Sequence, residues 1–173
     1  MRALLCAGLA AVALCACSPA SNASAPPEGK GDKVVNFADS DAKMSAAIAQ
    51  ARKTLPVFWK HLQAHPEMAD SNSLKVALPA DGGGHEHIWV SHIQAKGDQI
   101  TGRLANEPNG LPGMSLGSPV TFKQDQISDW TYKKDGKLYG HYTTRIVIEH
   151  IDPAEAAQVR AVLSENPVES DAS

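Results

Sequence analysis

Residues 82–92 read GGGHEHIWVSH, with three histidines and a glutamate inside eight residues, behind a run of glycines. Neutral imidazoles and a carboxylate are zinc ligands, so the first chemistry to weigh is metal binding. On a strand, His85 and His87 project from the same face with Cβ atoms roughly 7 Å apart, close enough to share an ion. His92 lies an odd number of residues from His87, which sends it to the opposite face of an unbroken strand. A third ligand would have to come from His141 or His150. Meanwhile Ile88 and Val90 occupy one face, and Trp89 and Ile93 the other, as expected of a central strand covered on both sides. We read the cluster as the polar mouth of a buried strand. No metal or cofactor is expected, and His85 and His87 are the pair a metal would use.

Two further patterns could do chemistry. GMSLG, residues 113–117, fits Gly-x-Ser-x-Gly with Ser115 at its centre. A nucleophile elbow needs a strand turning sharply into a helix; here a Pro/Asn/Gly loop precedes the motif and a strand follows it, so the match is accidental. Glu86 and Asp129 could pair for acid–base work, with His87 or His141 carrying the proton. The simpler expectation is that Asp129 accepts backbone amides while Trp130 fills the core. Arg145 lies in TTRIVI, read as an apolar strand, where a buried guanidinium needs a partner; Asp129 and Glu86 are the candidates.

The elements that must position these residues follow from periodicity. In residues 40–65, Met44, Ala47, Ile48, Ala51, Leu55, Phe58, Trp59 and Leu62 fall at three-and-four spacing, one face of a helix. Pro56 has no amide hydrogen and should kink or restart that helix. The period then switches to two. Strands are expected at residues 74–79, 86–95 and 99–105, the last two joined by the turn Gly97-Asp98. A loop at 106–117 leads to strands at 118–123, 127–133 and 138–150. Asp152-Pro153 opens a short closing helix, with an acid at the N-cap and proline at the first helical position. The class is α+β: an N-terminal helix on an antiparallel sheet of about five or six strands, with a short C-terminal helix.

The N-terminus speaks to location. Arg2 precedes an apolar run at residues 3–14, too short to span a bilayer as a mature helix. It ends in LCAC, which resembles the bacterial lipobox, so residues 1–16 read as a lipoprotein signal peptide and Cys17 as the lipidated residue. All three cysteines lie within the first seventeen residues, leaving the body without disulfides, thiolate nucleophiles or cysteine-bound metal. Residues 17–33 form a Ser/Ala/Pro/Gly tether with a reach of roughly 20–25 Å. Ser18 after the cysteine resembles lipoproteins sorted to the outer membrane, facing the periplasm. Residues 34–166 make one domain, followed by a tail at 167–173 expected to be disordered. With 16 basic and 19 acidic residues and no basic stripe, nucleic acid is not an expected partner.

EHIWV (86–90), GRLANEP (102–108), ISDW (127–130) and GHYTTR (140–145), with ARKTLPVFW (51–59) upstream, fall in the order seen in a bacterial family. The chain resembles the YegJ-like proteins, bacterial domain of unknown function 2314. The half from NEP to T-x-R also resembles a neighbouring family grouped with immunity proteins of toxin systems. The resemblance implies a small α+β domain, often exported, with no assigned catalytic residues. The expectation is a lipid-anchored envelope module that holds a protein or peptide, with a toxin-like protein as one version of that partner. Its candidate surface comprises Glu86, Trp89, Asn106, Glu107, Pro108, Asp129, Trp130 and Arg145. The alternative is a small envelope hydrolase or metal-dependent enzyme using Glu86, His85 and His87.

Overall fold

The structure, a computed structural model, describes residues 42–169. The signal peptide, Cys17 and the tether lie outside the described residues. Among these residues, helix α1 (Ala42–Ala64) packs on a six-stranded sheet of β1 (Ser73–Pro79), β2 (His85–Lys96), β3 (Gln99–Leu104), β4 (Pro119–Phe122), β5 (Ile127–Lys134) and β6 (Lys137–Gly140). Two short helices follow, α2 (Tyr142–Val147) and α3 (Pro153–Val162). The strand order is β4-β3-β2-β1-β5-β6 and every pairing between these strands is antiparallel. The fold is α+β, as the periodicities predict.

Helix α1 buries Ala47, Ala51, Leu55 and Phe58, one stripe of the predicted spacing. It runs unbroken through Pro56 instead of restarting there. Leu55 and Phe58, on either side of the proline, belong to the same core cluster as Leu74, Val76, Ile88, Val90, Trp130 and Tyr132. Burying such side chains contributes roughly 1.5–3 kcal/mol each, which offsets the roughly 3 kcal/mol an internal proline costs a helix. Arg52 reinforces the docking by donating to the carbonyls of Ile127 and Asp125, both at 2.7 Å.

Three departures from strict alternation decide where side chains point. In β2 the register slips between Ser91 and Gln94, and His92 adopts a left-handed φ of 53°. The strand is therefore not unbroken, and the parity assigned to Ile93 is corrected. A Cβ placed on Gly102 would meet both Val90 and Ile93, so Ile93 shares the α1 face with Val90 rather than lying beside Trp89. In β5, Ser128 is an extra residue: Lys75 pairs with Asp129 while Val76 pairs with Ile127. This bulge lets Ile127 and Trp130 both enter the core and leaves Asp129 beside Lys75.

The third departure corrects the long strand expected over residues 138–150. β6 ends at Gly140, His141 takes a left-handed φ of 54°, and residues 142–147 are helical. Thr143, Thr144, Ile146 and Val147 are β-branched and favour strand locally, but Asp129 captures the amides of Tyr142 and Thr143 and turns the chain. Arg145 accordingly sits on α2. α3 begins as predicted, with Asp152 Oδ1 accepting from the amides of Ala154 at 2.9 Å and Glu155 at 3.3 Å. The C-terminal stretch expected to be a loose tail from residue 167 is tied to the sheet through Glu169: Gly140 N–H donates to Pro167 O at 2.7 Å, and Val168 packs on the main core.

Candidate functional site

The face of the sheet turned away from α1 gathers the polar and aromatic side chains. Register places Lys75 of β1 between Trp89 of β2 and Asp129 of β5. The Lys75 ammonium lies 5.5 Å from the Trp89 ring centre, in cation–π range, and donates to Thr143 Oγ1 at 3.3 Å. Thr143 Oγ1 in turn donates to Asp129 Oδ2 at 2.7 Å. Asp129 is fully buried and also accepts from the amides of Trp130 at 2.8 Å, Tyr142 at 3.1 Å and Thr143 at 2.7 Å. Burial pushes its carboxyl up, while Thr143, Lys75 and the Trp130 amide push it back toward the charged form. Burial lowers Lys75, and Asp129 opposes that.

Beside this chain of contacts lies a groove of about 290 Å³. Trp89, Asn106, Thr131, Leu138 and His141 line it, with Lys133 at its border. Trp89 and His141 rings meet at 5.0 Å, and His141 Nδ1 lies 3.0 Å from Thr144 Oγ1. Asn106 is fixed by accepting from the Trp89 amide at 3.1 Å.

The other sequence-predicted residues serve the architecture or lie apart from this groove. Glu86 accepts from the amides of Asn109 at 2.9 Å and Gly110 at 2.7 Å, pinning the loop after β3. Glu107 accepts from Leu116 N at 3.1 Å, closing the same loop, and Pro108 is half-buried in it. Glu86 and Asp129 thus serve different loops and do not form an acid–base pair. Trp130 is fully buried and donates Nε1–H to Ala51 O at 3.0 Å. Arg145 feels the charge of Asp129, but its hydrogen bonds go to the carbonyls of Gly140 at 3.3 Å and Ser164 at 2.9 Å. Of the histidines, His85 is exposed, His87 Nδ1 lies 2.9 Å from Ser128 Oγ, and His92 Nε2 lies 3.1 Å from Asp70. Among the described residues no group of three or more His, Cys, Asp or Glu side chains could hold a metal. Ser115 sits in a turn, its amide donating to Ser118 Oγ at 3.0 Å, which is no strand-to-helix elbow.

Sequence reasoning missed Lys75 and Thr143. Lys75 alternates with Leu74 and Val76 and so reads as an exposed strand position; only its cross-strand neighbours reveal its surroundings. In the sequence, His141 stands out only as a spare ligand or proton carrier.

His141 carries a prediction. Burial first, then the cations Lys75 from β1 and Arg145 from its own helix, lower its pKa to about 4; Asp129 is the anion set among the same groups. The unfolded chain has an imidazole pKa of about 6.5 and binds the proton more tightly. The stability this histidine supports is complete above about pH 6.5, declines as pH falls, and is gone below about pH 4. Wild type should lose about 2–3 kcal/mol more than His141→Asn between about pH 7 and pH 4 in urea unfolding. Asparagine tolerates the positive φ and does not titrate. Equal losses in the two proteins would refute the assignment.

These observations define a class: a compact α+β domain whose marked carboxylates serve its own backbone and whose open feature is an aromatic groove. The chain belongs to the family of uncharacterized proteins conserved in bacteria, DUF2314, whose family model matches residues 41–163. It is similar to the uncharacterized protein YegJ of Escherichia coli strain K12, 29% identical over 132 residues, which covers 76% of this chain and 84% of that protein. It is also similar to a putative ankyrin repeat protein of Neisseria meningitidis serogroup B, 33% identical over 121 residues, 65% of this chain. The match spans 48% of the Neisseria protein's length. No solved structure matches.

Proposed function

We propose that this protein is a non-catalytic binding module of the bacterial envelope, held at the outer membrane by a lipid on Cys17, facing the periplasm, and engaging a protein or peptide through the Trp89 groove. Neutralising a toxin-like protein is one form of that role. The observation that carries the reading is a division of labour between the domain's carboxylates and its exposed rings. Glu86 and Asp129 spend their oxygens on backbone amides, whereas the Trp89 groove presents an indole, an imidazole and Leu138. Half-buried aromatic side chains with a polar rim are typical anchors of protein recognition. Trp89 and Asn106 form the contact surface, and Glu107 and Pro108 follow Asn106 in the loop after β3. Asp129, Trp130 and Arg145 hold the elements behind it, and Glu86 pins the loop after β3.

Crosslinking and affinity capture from intact envelopes test this, with wild type and Trp89→Ala compared at equal abundance. Truncating one buried aromatic anchor costs about 2 kcal/mol or more of binding, roughly thirtyfold in affinity. A partner recovered by wild type and lost with Trp89→Ala is the expected result. Equal recovery by both proteins would refute the groove. Mass spectrometry should find a mature chain that starts at Cys17 and carries the lipid. Stoichiometric zinc that disappears in His85→Ala/His87→Ala would replace the binding reading with metal-dependent chemistry.

A further inference from the structure

On the α1 face, away from the Trp89 groove, His61, Tyr132 and Tyr139 form a ladder of stacked rings, 3.8 Å from His61 to Tyr132 and 5.2 Å from Tyr132 to Tyr139. The C-terminal residues 167–169 lie across it and are read in order. Gly140 N–H donates to Pro167 O at 2.7 Å. Val168 packs against the main core. Glu169 takes the Tyr132 hydroxyl at 3.1 Å on one carboxylate oxygen and the Lys134 ammonium on the other. A backbone donor, an apolar seat and a two-armed anion clamp are thus matched to three consecutive residues.

We infer that this face is a second recognition site, one that takes an extended proline–aliphatic–acidic peptide segment, and that residues 167–169 are a strap which occupies it in cis. Without the strap, the Gly140 amide, the Tyr132 hydroxyl and the Lys134 ammonium would lose these acceptors, and the core would lose Val168. Extended peptides bind in this manner, a main-chain hydrogen bond giving affinity and side-chain seats giving selectivity. The strap is held by one backbone hydrogen bond, the Tyr132 hydroxyl, the half-buried Val168 and a partly exposed ion pair of modest strength, each a contact that a segment of like chemistry reproduces. A partner segment of the same chemistry can therefore displace it. Such a segment loses apparent affinity in proportion to how rarely the strap is open.

The probe is a fluorescein-labelled peptide Glu-Asn-Pro-Val-Glu-Ser, titrated into the full chain and followed by anisotropy. Glu169→Ala removes the strap's own anion and leaves the receiving surface unaltered, so it should bind the probe about tenfold more tightly than wild type does. Adding Lys134→Ala should abolish that gain. Equal affinity in wild type and Glu169→Ala, or a gain insensitive to Lys134, would overturn the inference. Hydrogen exchange on wild type is a second measurement that needs no variant. The Gly140 amide should exchange through local strap opening, faster than the β5 amides; exchange only by global unfolding would overturn the idea of a displaceable strap.

Discussion

Asp129→Ala is expected to remove about 4 kcal/mol of stability, a large part of what a domain of this size possesses. Asp129 is fully buried and receives four hydrogen bonds, three from amides and one from Thr143 Oγ1. Alanine offers none of these acceptors, and a buried donor left without a partner costs about 1–3 kcal/mol. The amides of Tyr142 and Thr143 open α2, so their loss undoes the capture that ends β6. Lys75 would lose the one charge that opposes its desolvation. Chemical denaturation of Asp129→Ala should show the loss, and Lys75→Met in the same background should recover part of it, because the two residues act as a coupled pair. An Asp129→Ala domain within about 1 kcal/mol of wild type would mean the carboxylate is kept for chemistry rather than for architecture.

Gly140→Ala should cost nearly as much, about 3–4 kcal/mol, for a different reason. Gly140 has a φ of +75°, which penalises any side chain. A Cβ there would lie 2.1 Å from Trp130 O and 2.6 Å from the Trp130 ring. Neither can retreat: the carbonyl accepts from His141 N at 3.0 Å, and the indole is buried with its N–H on Ala51 O. Gly136 supplies the control. Its φ is +77°, but a Cβ there meets nothing within 4 Å, so Gly136→Ala should cost only about 1 kcal/mol. Thermal unfolding of the two variants separates strain from collision. Matching losses would show that the Trp130 contact contributes nothing.

The two substitutions fall in ISDW and GHYTTR, two of the stretches that carry the family resemblance, and the structure gives both a constructive role. Glu86 of EHIWV and Asn106 of GRLANEP act in the same way, each accepting backbone amides of a distant strand or loop. The reading of Asp129-Trp130 as an amide acceptor beside a core indole agrees with the geometry. The reading of Arg145 as a strand residue does not, since it lies on α2.

Periodicity alone was sufficient for α1, for the first five strands and for α3, because a helix stripe, a period-two alternation and an Asp-Pro cap are local patterns. The class and the main core follow from them. Tertiary structure decided the switch from β6 to α2, the bulges at His92 and Ser128, the half-buried setting of Lys75 and the seating of residues 167–169. In each of these, the outcome depends on which remote backbone group or side chain takes a hydrogen bond or fills a space. The β-branched run after Gly140 favours strand until Asp129, from a strand already laid down, claims its first amides; that competition is between partners far apart in the chain, and only folding brings them together.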